Sequence, residues 1–423
     1  MIRFNVPMTP RSPAHRASLA DGSLEDGSLQ SGDLVAGVLS GTSADGIDVA
    51  VGRIALTGDG GDRRVCGVEA TQLATVPMAA ELSARVRGVL DGGAVSLPEL
   101  AMLDRDLGVA FGAAVRGVAG ESAPLRLVAS HGQTVFHHDG EPGLGKVTMQ
   151  LGDGDFVAEA AGCAVASDFR TRDCAAGGEG APLVVLVDDV LFSTAPRPLA
   201  ILNLGGIANW TLLRPDAPPV GSDAGPAGAL LDGLARAVLE LPMDRDGLVA
   251  ARGEVRPELL EALGGHPFFA RPWPKSTGLD TFGPAYLTDF MGAARGASPE
   301  DLLATATRFV ARASVGDLLR GDRLESIQGG VEVAVAGGGA RNPTLMGAIE
   351  EELRAQLEPL GSPLTGFGPS NRHGVPSDYR EALAFAVLGA RLAIGESSSR
   401  PEVTGALGGR VLGKWSSGLR IGL

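Results

Sequence analysis

The sequence predicts an α/β protein built as two lobes, and three observations predict it. Three glycine-rich turns each follow an apolar β-type run, at Gly41-Thr42-Ser43-Ala44-Asp45-Gly46, at Gly205-Gly206 and at Gly337-Gly338-Gly339. Most stretches between them read as alternating strand and helix patterns, the mark of layered α/β packing. The 423 residues, 44% of them apolar, suffice for two domains with separate cores. Aromatics make up only 4%, so those cores must be packed from Ala, Val and Leu.

A glycine turn lets backbone N–H groups approach phosphate oxygens with no Cβ in the way, and Ser and Thr hydroxyls add donors. The spacing here is neither that of Walker A nor the Gly-x-Gly-x-x-Gly of dinucleotide folds. A strand–turn–strand unit at 34–51 that recurs at 199–210 suggests duplicated halves clasping a nucleotide, as in a phosphotransferase. Ordinary hairpin turns, in a chain with 62 glycines, are the alternative.

Taken in order, residues 1–33 carry a near-repeat, Asp21-Gly22-Ser23-Leu24 and Asp26-Gly27-Ser28-Leu29, and read as a disordered acidic tail without the apolar core of a signal peptide. The first lobe, 34–196, opens with a hairpin at 34–55 and a strand at 65–76, followed by helical periodicity at 78–90 and 97–118. A short buried strand at 125–130 delivers His131-Gly132-Gln133-Thr134 at its end, where open α/β sheets place ligand residues. His137 and His138 then fall in a polar loop with Asp139, and no partner at ligand spacing makes them a metal site. After strands at 147–151 and 163–166 and a helix at 156–161, an extended 167–173 would point Arg170 and Arg172 to one face. Two guanidiniums there suit an anionic substrate group, with salt bridges to Asp168 or Asp173 as the equal alternative. A helix at 182–192, with Pro182 in its first turn, leads to the lobe boundary at Ala195-Pro196-Arg197-Pro198.

The second lobe, 197–378, continues from its glycine turn to Asp223 and a helix at 227–239. A Pro-bounded loop at 272–278 and a helix at 298–319 opened by Ser298-x-x-Asp301 follow. The helix at 379–394 and the tail to 423 join the first lobe. A net charge of −14 argues against nucleic acid or an anionic membrane as main partner, so any phosphate site is local. No apolar run reaches the roughly 18 residues of a transmembrane helix. Cys66, Cys163 and Cys174 lie far apart and read as free thiols of a cytoplasmic protein.

Phosphoryl transfer needs a phosphate cradle, a carboxylate-held metal and a base aligned with the acceptor. Asp48, Asp168 and Asp223 are the acids beside turns, and Asp48 interrupts an apolar strand at 47–51. Each candidate has a plainer reading: Asp45 as a turn former, Asp223 as a helix N-cap and His131 as a satisfied core histidine, while Lys275, beside two hydroxyls in a Pro-bounded loop, reads equally as a substrate-closing residue or as surface charge.

In one order along the chain stand residues 37–48, Ser130-His131-Gly132-Gln133-Thr134, Asp168-Phe169-Arg170-Thr171-Arg172-Asp173 and residues 177–184. Asn203-Leu204-Gly205-Gly206-Ile207-Ala208-Asn209, Pro274-Lys275-Ser276-Thr277-Gly278, residues 337–343, residues 381–386 and Val403-Thr404-Gly405-Ala406 complete the series. Together they resemble the anhydro-N-acetylmuramic acid kinase family of the actin-like, hexokinase-like ATPase superfamily, over about 34–412. The resemblance implies two actin-like, ribonuclease H-like lobes flanking an ATP cleft. It implies an enzyme of peptidoglycan recycling that uses ATP and Mg²⁺ to phosphorylate O6 of 1,6-anhydro-N-acetylmuramic acid while water opens the anhydro bridge at C1. A cytoplasmic homodimer acting on a small amino sugar goes with it.

By the same resemblance, Gly41, Thr42, Ser43, Asp45, Gly46, Ile47 and Asp48 would hold the phosphates, with Asp48 near Mg²⁺. Gly205, Gly206 and Asn209 would form the second phosphate turn, and Gly337, Gly338, Gly339 and Asn342 would lie against the adenosine. Asp223 would be the base that takes a proton from the attacking water, while His131, Gln133, Asp168, Arg172 and Glu381 would line the sugar pocket. The chain departs from the family pattern at Ala227 and Gly228, where Gly-Asn is usual, at Leu279 in place of Arg, and at Gly283 in place of Asn. Those changes bear on rate and choice of sugar more than on fold. A kinase for a related amino sugar without the bridge, and an actin-like nucleotide-binding regulator without catalysis, stay open as other readings.

Overall fold

Two β-sheets repeat one strand order in a computed structural model that describes residues 29–41, 43–120, 124–139, 145–273, 275–294 and 296–418. The first sheet is built from β1 (Leu34–Leu39), β2 (Gly46–Thr57), β3 (Arg64–Pro77), β4 (Leu125–Asp139) and β6 (Val165–Ser167), with β5 (Lys146–Leu151) paired to β4. The second is built from β7 (Leu199–Leu204), β8 (Ile207–Leu213), β9 (Val220–Pro226), β10 (Val331–Ala336) and β11 (Leu364–Pro369). Their orders, β3-β2-β1-β4-β6 and β9-β8-β7-β10-β11, are the same pattern twice. In each, an antiparallel meander of three strands is followed by two parallel strands added beside the first. This is the duplicated ribonuclease H-like topology of an actin-like α/β protein. A last strand, β12 (Lys414–Ser416), adds antiparallel to β6.

Parallel neighbours cannot be joined by a tight turn, so helices make the crossings. In the first lobe these are α1 (Ala80–Leu90), α2 (Leu97–Ala119) and α3 (Gly154–Ala161), with α4 (Phe169–Cys174) and α5 (Asp188–Leu191) leading to the second sheet. In the second, α6 (Gly228–Leu239), α7 (Pro257–Gly264), α8 (Leu279–Phe282), α9 (Pro284–Ala293) and α10 (Pro299–Leu318) cross from β9 to β10, and α11 (Pro343–Leu357) from β10 to β11. The chain then returns through α12 (Arg380–Ile394), which packs on β1, β2 and β4.

Strand periodicity sorts the side chains into layers. In β7, Leu199 and Ile201 enter a core shared with α12, while Ala200, Leu202 and Leu204 enter the core around α10, as a period of two requires. In β1, Val35 and Leu39 face α12, whereas Ala36 and Val38 face the α2 side. The α12 layer thus lies between the two sheets. Gly37 permits its close approach, because a Cβ there would fall 1.8 Å from the Ala382 carbonyl oxygen. A buried ion pair joins α12 to α5, Arg380 donating to Asp188, and Asp188 accepts a further bond from Thr211 Oγ1 of β8, in the second sheet, at 2.5 Å.

Four sequence expectations change. Residues 29–33 are not part of a disordered tail: Leu29 is fully buried in the core shared with α12, and Gly32 N donates to Ile54 O at 2.8 Å, while residues 1–28 lie outside the described residues. His131, His137 and His138 belong to β4, which runs on past 130 because β5 pairs with it from Gln133 to Asp139. Residues 169–174 are helical rather than extended, after Asp168 adopts a left-handed φ of 57°, so Arg170 and Arg172 part company. The expected helix at 182–192 is a 3₁₀ turn, Val184–Leu186, followed by the single turn of α5.

Candidate active site

Three turns face the space between the sheets. In the β1–β2 turn Ser40 Oγ donates to Gly46 O at 2.9 Å, Ser43 Oγ to Asp45 Oδ1 at 2.7 Å and Ala44 N to Gly41 O at 3.1 Å. Gly41, Ser43 and Asp45 are exposed, Gly46 is half-buried, and the Ile47 side chain is buried, leaving only its backbone for a ligand; Thr42 lies outside the described residues. In the β7–β8 turn the Gly205 carbonyl accepts from Gly228 N, and the Gly206 carbonyl from Ala227 N and Ala229 N, at 2.9, 2.9 and 3.0 Å. Those are the otherwise unsatisfied first donors of α6, so the turn is locked to the helix. Asn209 lies in register between Asn203 of β7 and Asp223 of β9.

In the third turn Gly337 has a φ of 80° and donates to Ser377 O at 2.9 Å, while Gly338 is exposed and Gly339 half-buried. Asn342 is the N-cap of α11, its Oδ1 accepting from Leu345 N at 3.0 Å.

Acids from both sheets and from α12 act on one another in series, through Arg170. Asp48, on β2, accepts from Thr75 Oγ1 at 2.6 Å. Burial raises its pKa above the ordinary carboxylate value against that bond, and Glu381, Asp378 and Asp45 add repulsion. Glu381, at the start of α12, accepts from Asn203 Nδ2 at 3.0 Å. Its charge also acts on the Arg170 guanidinium, as does that of Asp223. Arg170 Nε donates to His131 Nε2 at 2.8 Å, and its NH1 to Gly180 O at 2.8 Å. Burial and that guanidinium hold the His131 pKa well below its ordinary value, so the imidazole is neutral and acts as an acceptor.

Asp223 ends the series and is 5% exposed. It lies within β9, and the cap position of α6 is Ala227, so the N-cap reading fails. Its N donates to Lys275 O at 3.0 Å and its Oδ2 accepts from Thr277 N at 2.9 Å. Burial pushes its pKa up to about 7 against the pull of the Thr277 N–H and Arg170, with Glu179 and Asp317 pushing further. A carboxyl so placed changes protonation state near neutrality, the property a general base needs.

The structure does not bring all the expected sugar-pocket residues to Asp223. Arg172 is exposed on α4. Asp168 pairs with Lys414 at 2.8 Å and, with His131, lines a separate polar cavity of about 310 Å³ that Asp223, Arg172 and Glu381 do not reach. Gln133 is buried, its Nε2 donating to Thr134 O at 3.3 Å. Sequence reasoning missed the roles of Glu179, Asp317 and the inward-facing Arg170. Of the two readings open for Lys275, surface charge fails: the residue is 2% exposed and paired with Asp317 at 2.9 Å. Its partners Phe268 and Asp317 come to it through the fold, from the turn before it and from α10.

A family model described as Anhydro-N-acetylmuramic acid kinase matches residues 33–417. The anhydro-N-acetylmuramic acid kinase of Streptomyces coelicolor is 40% identical over 387 residues, spanning 90% of this chain and 93% of its own. That of Xanthomonas axonopodis pv. citri is 40% identical over 383 residues, spanning 89% and 96%. That of Variovorax paradoxus is 39% identical over 386 residues, again spanning 89% and 96%.

Proposed function

The chain belongs to the anhydro-N-acetylmuramic acid kinase family, and from that premise we propose that it is an ATP-dependent kinase converting 1,6-anhydro-N-acetylmuramic acid to N-acetylmuramic acid 6-phosphate, a step of peptidoglycan recycling. The observation that carries the reading is Asp223: buried, held by the Thr277 N–H, facing Arg170, and titrating at about 7. Asp223 takes a proton from water as the water oxygen bonds to C1. The C1–O6 bond breaks, and O6 takes the γ-phosphoryl group of ATP as ADP leaves. The hydroxyl stays on C1 and the proton on the carboxyl, so the step balances. Burial keeps bulk water from competing for that proton.

The backbone amides of Gly41, Ser43, Gly205 and Gly206 are the groups we assign to the ATP phosphates, with Gly337, Gly338 and Gly339 beside the nucleoside. The oxygens of Asp48 fit Mg²⁺: burial and three neighbouring acids raise its pKa, a repulsion that a cation would relieve, while Thr75 Oγ1 donates to only one of the two oxygens among the described residues. Mg²⁺ of this kind is usually held by one or two carboxylates together with substrate phosphates, a role that Asp48 alone on the protein side would satisfy. Bound there, Mg²⁺ would neutralise phosphate charge. Glu381, between Asp48 and Arg170, faces both substrates. We assign 34–196 and 379–423 to one lobe and 197–378 to the other, because β12 extends the first sheet and α12 packs on it. A reaction consuming ATP, in a chain whose cysteines are all free, fits the cytoplasm.

The test is ADP release by the purified protein with Mg-ATP and 1,6-anhydro-N-acetylmuramic acid, with plain N-acetylmuramic acid as control. Release dependent on the bridged sugar is expected. Equal release with the plain sugar would replace this reading by a simpler amino-sugar kinase.

A further inference from the structure

Lys275 has no part in the chemistry above, yet its side chain is buried in the second lobe with three partners. Its Nζ lies 2.9 Å from Asp317 Oδ1, donates to Phe268 O at 3.3 Å and sits 4.3 Å from the centre of the Phe268 ring. Asp317, on α10, is itself fixed by Trp210 Nε1 of β8 at 2.8 Å. The Lys275 backbone runs along β9: its N donates to Ser222 Oγ at 3.1 Å, and its O accepts from Ser222 Oγ and Asp223 N, both at 3.0 Å. The next two residues then grip one acid each. Ser276 Oγ donates to Glu179 Oε2 at 2.8 Å, and Thr277 N donates to Asp223 Oδ2 at 2.9 Å. Residues 275–277 carry no helix or strand of their own, so these backbone bonds to β9 and the buried Lys275 side chain together set their position.

We propose that Lys275 is a positioning residue for the reaction: its ammonium, locked to Asp317 and Phe268, fixes residues 275–277 so that the Thr277 N–H holds Oδ2 of Asp223 towards the attacking water. The burial of the lysine explains why a loop can aim a catalytic carboxyl as firmly as a strand would. It also explains the Ser276 contact, through which the same three residues register the second lobe against Glu179 of the first. The inference rests on the reading of Asp223 as the base.

The charged groups acting on Asp223 are Arg170 from α4, Glu179 from the segment after α4 and Asp317 from α10. They give the experiment a sign. Replacing both members of the pair, Lys275→Met with Asp317→Asn, removes one positive and one negative charge 2.9 Å apart, whose effects on the Asp223 pKa oppose each other, so charge alone leaves the acid limb of the kcat profile close to its place. Loss of the Thr277 N–H moves it to higher pH, by on the order of one pH unit. Full-length wild type, the double variant and the single variant Lys275→Met are assayed for ADP release with Mg-ATP and the anhydro sugar from pH 5 to 9. A limb displaced to higher pH in the double variant supports the proposal. A limb that is unmoved or lowered overturns it, even if melting temperature and specific activity both fall. Should the single variant fail to fold, the double variant, which leaves no unpaired buried charge, still decides. An Asp223→Asn control separates the two failures. If it keeps near-normal turnover the base itself is misassigned; if it is inactive while the limb stays put, only the role of Lys275 falls.

Discussion

In the first lobe the acids facing the cleft sit where solvent or a cation can reach them, with Asp45 exposed on a turn and Asp48 half-buried. In the second lobe Asp223 and Asp317 are 5% and 8% exposed, and each is gripped by named donors. The sheets behind them have the same strand order. What differs is the packing outside the sheet. The first lobe covers its faces with largely aliphatic side chains, whereas the second packs Phe268, Phe269, Phe282, Tyr286 and Phe309 into a cluster of mostly edge-to-face contacts whose Phe268 lies against Lys275. One topology thus carries solvent-reachable acids in one lobe and sealed ones in the other, and the packing behind each acid decides which it is; on the function proposed above, the first would meet a cation and the second would take a proton.

The sharpest way to break this contrast is Asp223→Asn. Turnover should fall by a factor of about 10² or more with ATP and sugar binding kept, as loss of a general base predicts; kcat and KM from ADP release, with binding by calorimetry, check it. Next comes the buried pair of Arg380 and Asp188, which joins α12 to α5. Arg380→Met leaves Asp188, fully buried, without its cation and should cost about 3–5 kcal/mol in chemical denaturation, because an unpaired buried charge remains. A smaller effect comes from pH. With Asp223 at about 7, kcat should fall about tenfold for each unit below that value. The same group acts on stability with the opposite sign. Its folded pKa lies above the ordinary 3.8, so its contribution is fully present below 3.8 and is lost as pH rises through about 7. Wild type should therefore lose relative to Asp223→Asn in melting temperature between those values, and parallel melting curves would refute this. Smallest is Lys414→Ala in the first lobe. Its bridge to Asp168 is more than half exposed on the lysine side, so about 1 kcal/mol or less should be lost and the melting point should barely move.

Much of the architecture was legible because apolar periodicity and turn chemistry are local signals. The hairpin of β1 and β2, the long helices α2 and α10 with their serine caps, and α12 all stand within a residue or two of the sequence reading. What failed was set by distant partners. β4 continues through His138 because β5 pairs with it, and nothing in 131–138 announces a strand. Residues 169–174 coil because Asp168 turns the chain, so the alternation of Arg170 and Arg172 misled. In the site, the acids were visible as types but their protonation behaviour was not. Asp223 owes its raised pKa to burial, to Glu179 in the segment after α4 and to Asp317 on α10, all set by the fold and acting against the pull of Arg170 on α4. The surroundings of Lys275 were hidden for the same reason, since only the fold brings Asp317 and Phe268 around it.

The position of α12 and β12 has a consequence for biosynthesis. The first lobe is begun by residue 34 and finished near residue 416, with the whole second sheet between. On the ribosome the second lobe, contiguous in the chain, can close while Val35, Leu39, Leu127 and Ala129 still wait for Ala382, Phe385 and Ala386 to cover them. The lobe that emerges first therefore matures last. A stop codon anywhere ahead of residue 380 would strand it with an open apolar face, a natural client for chaperones.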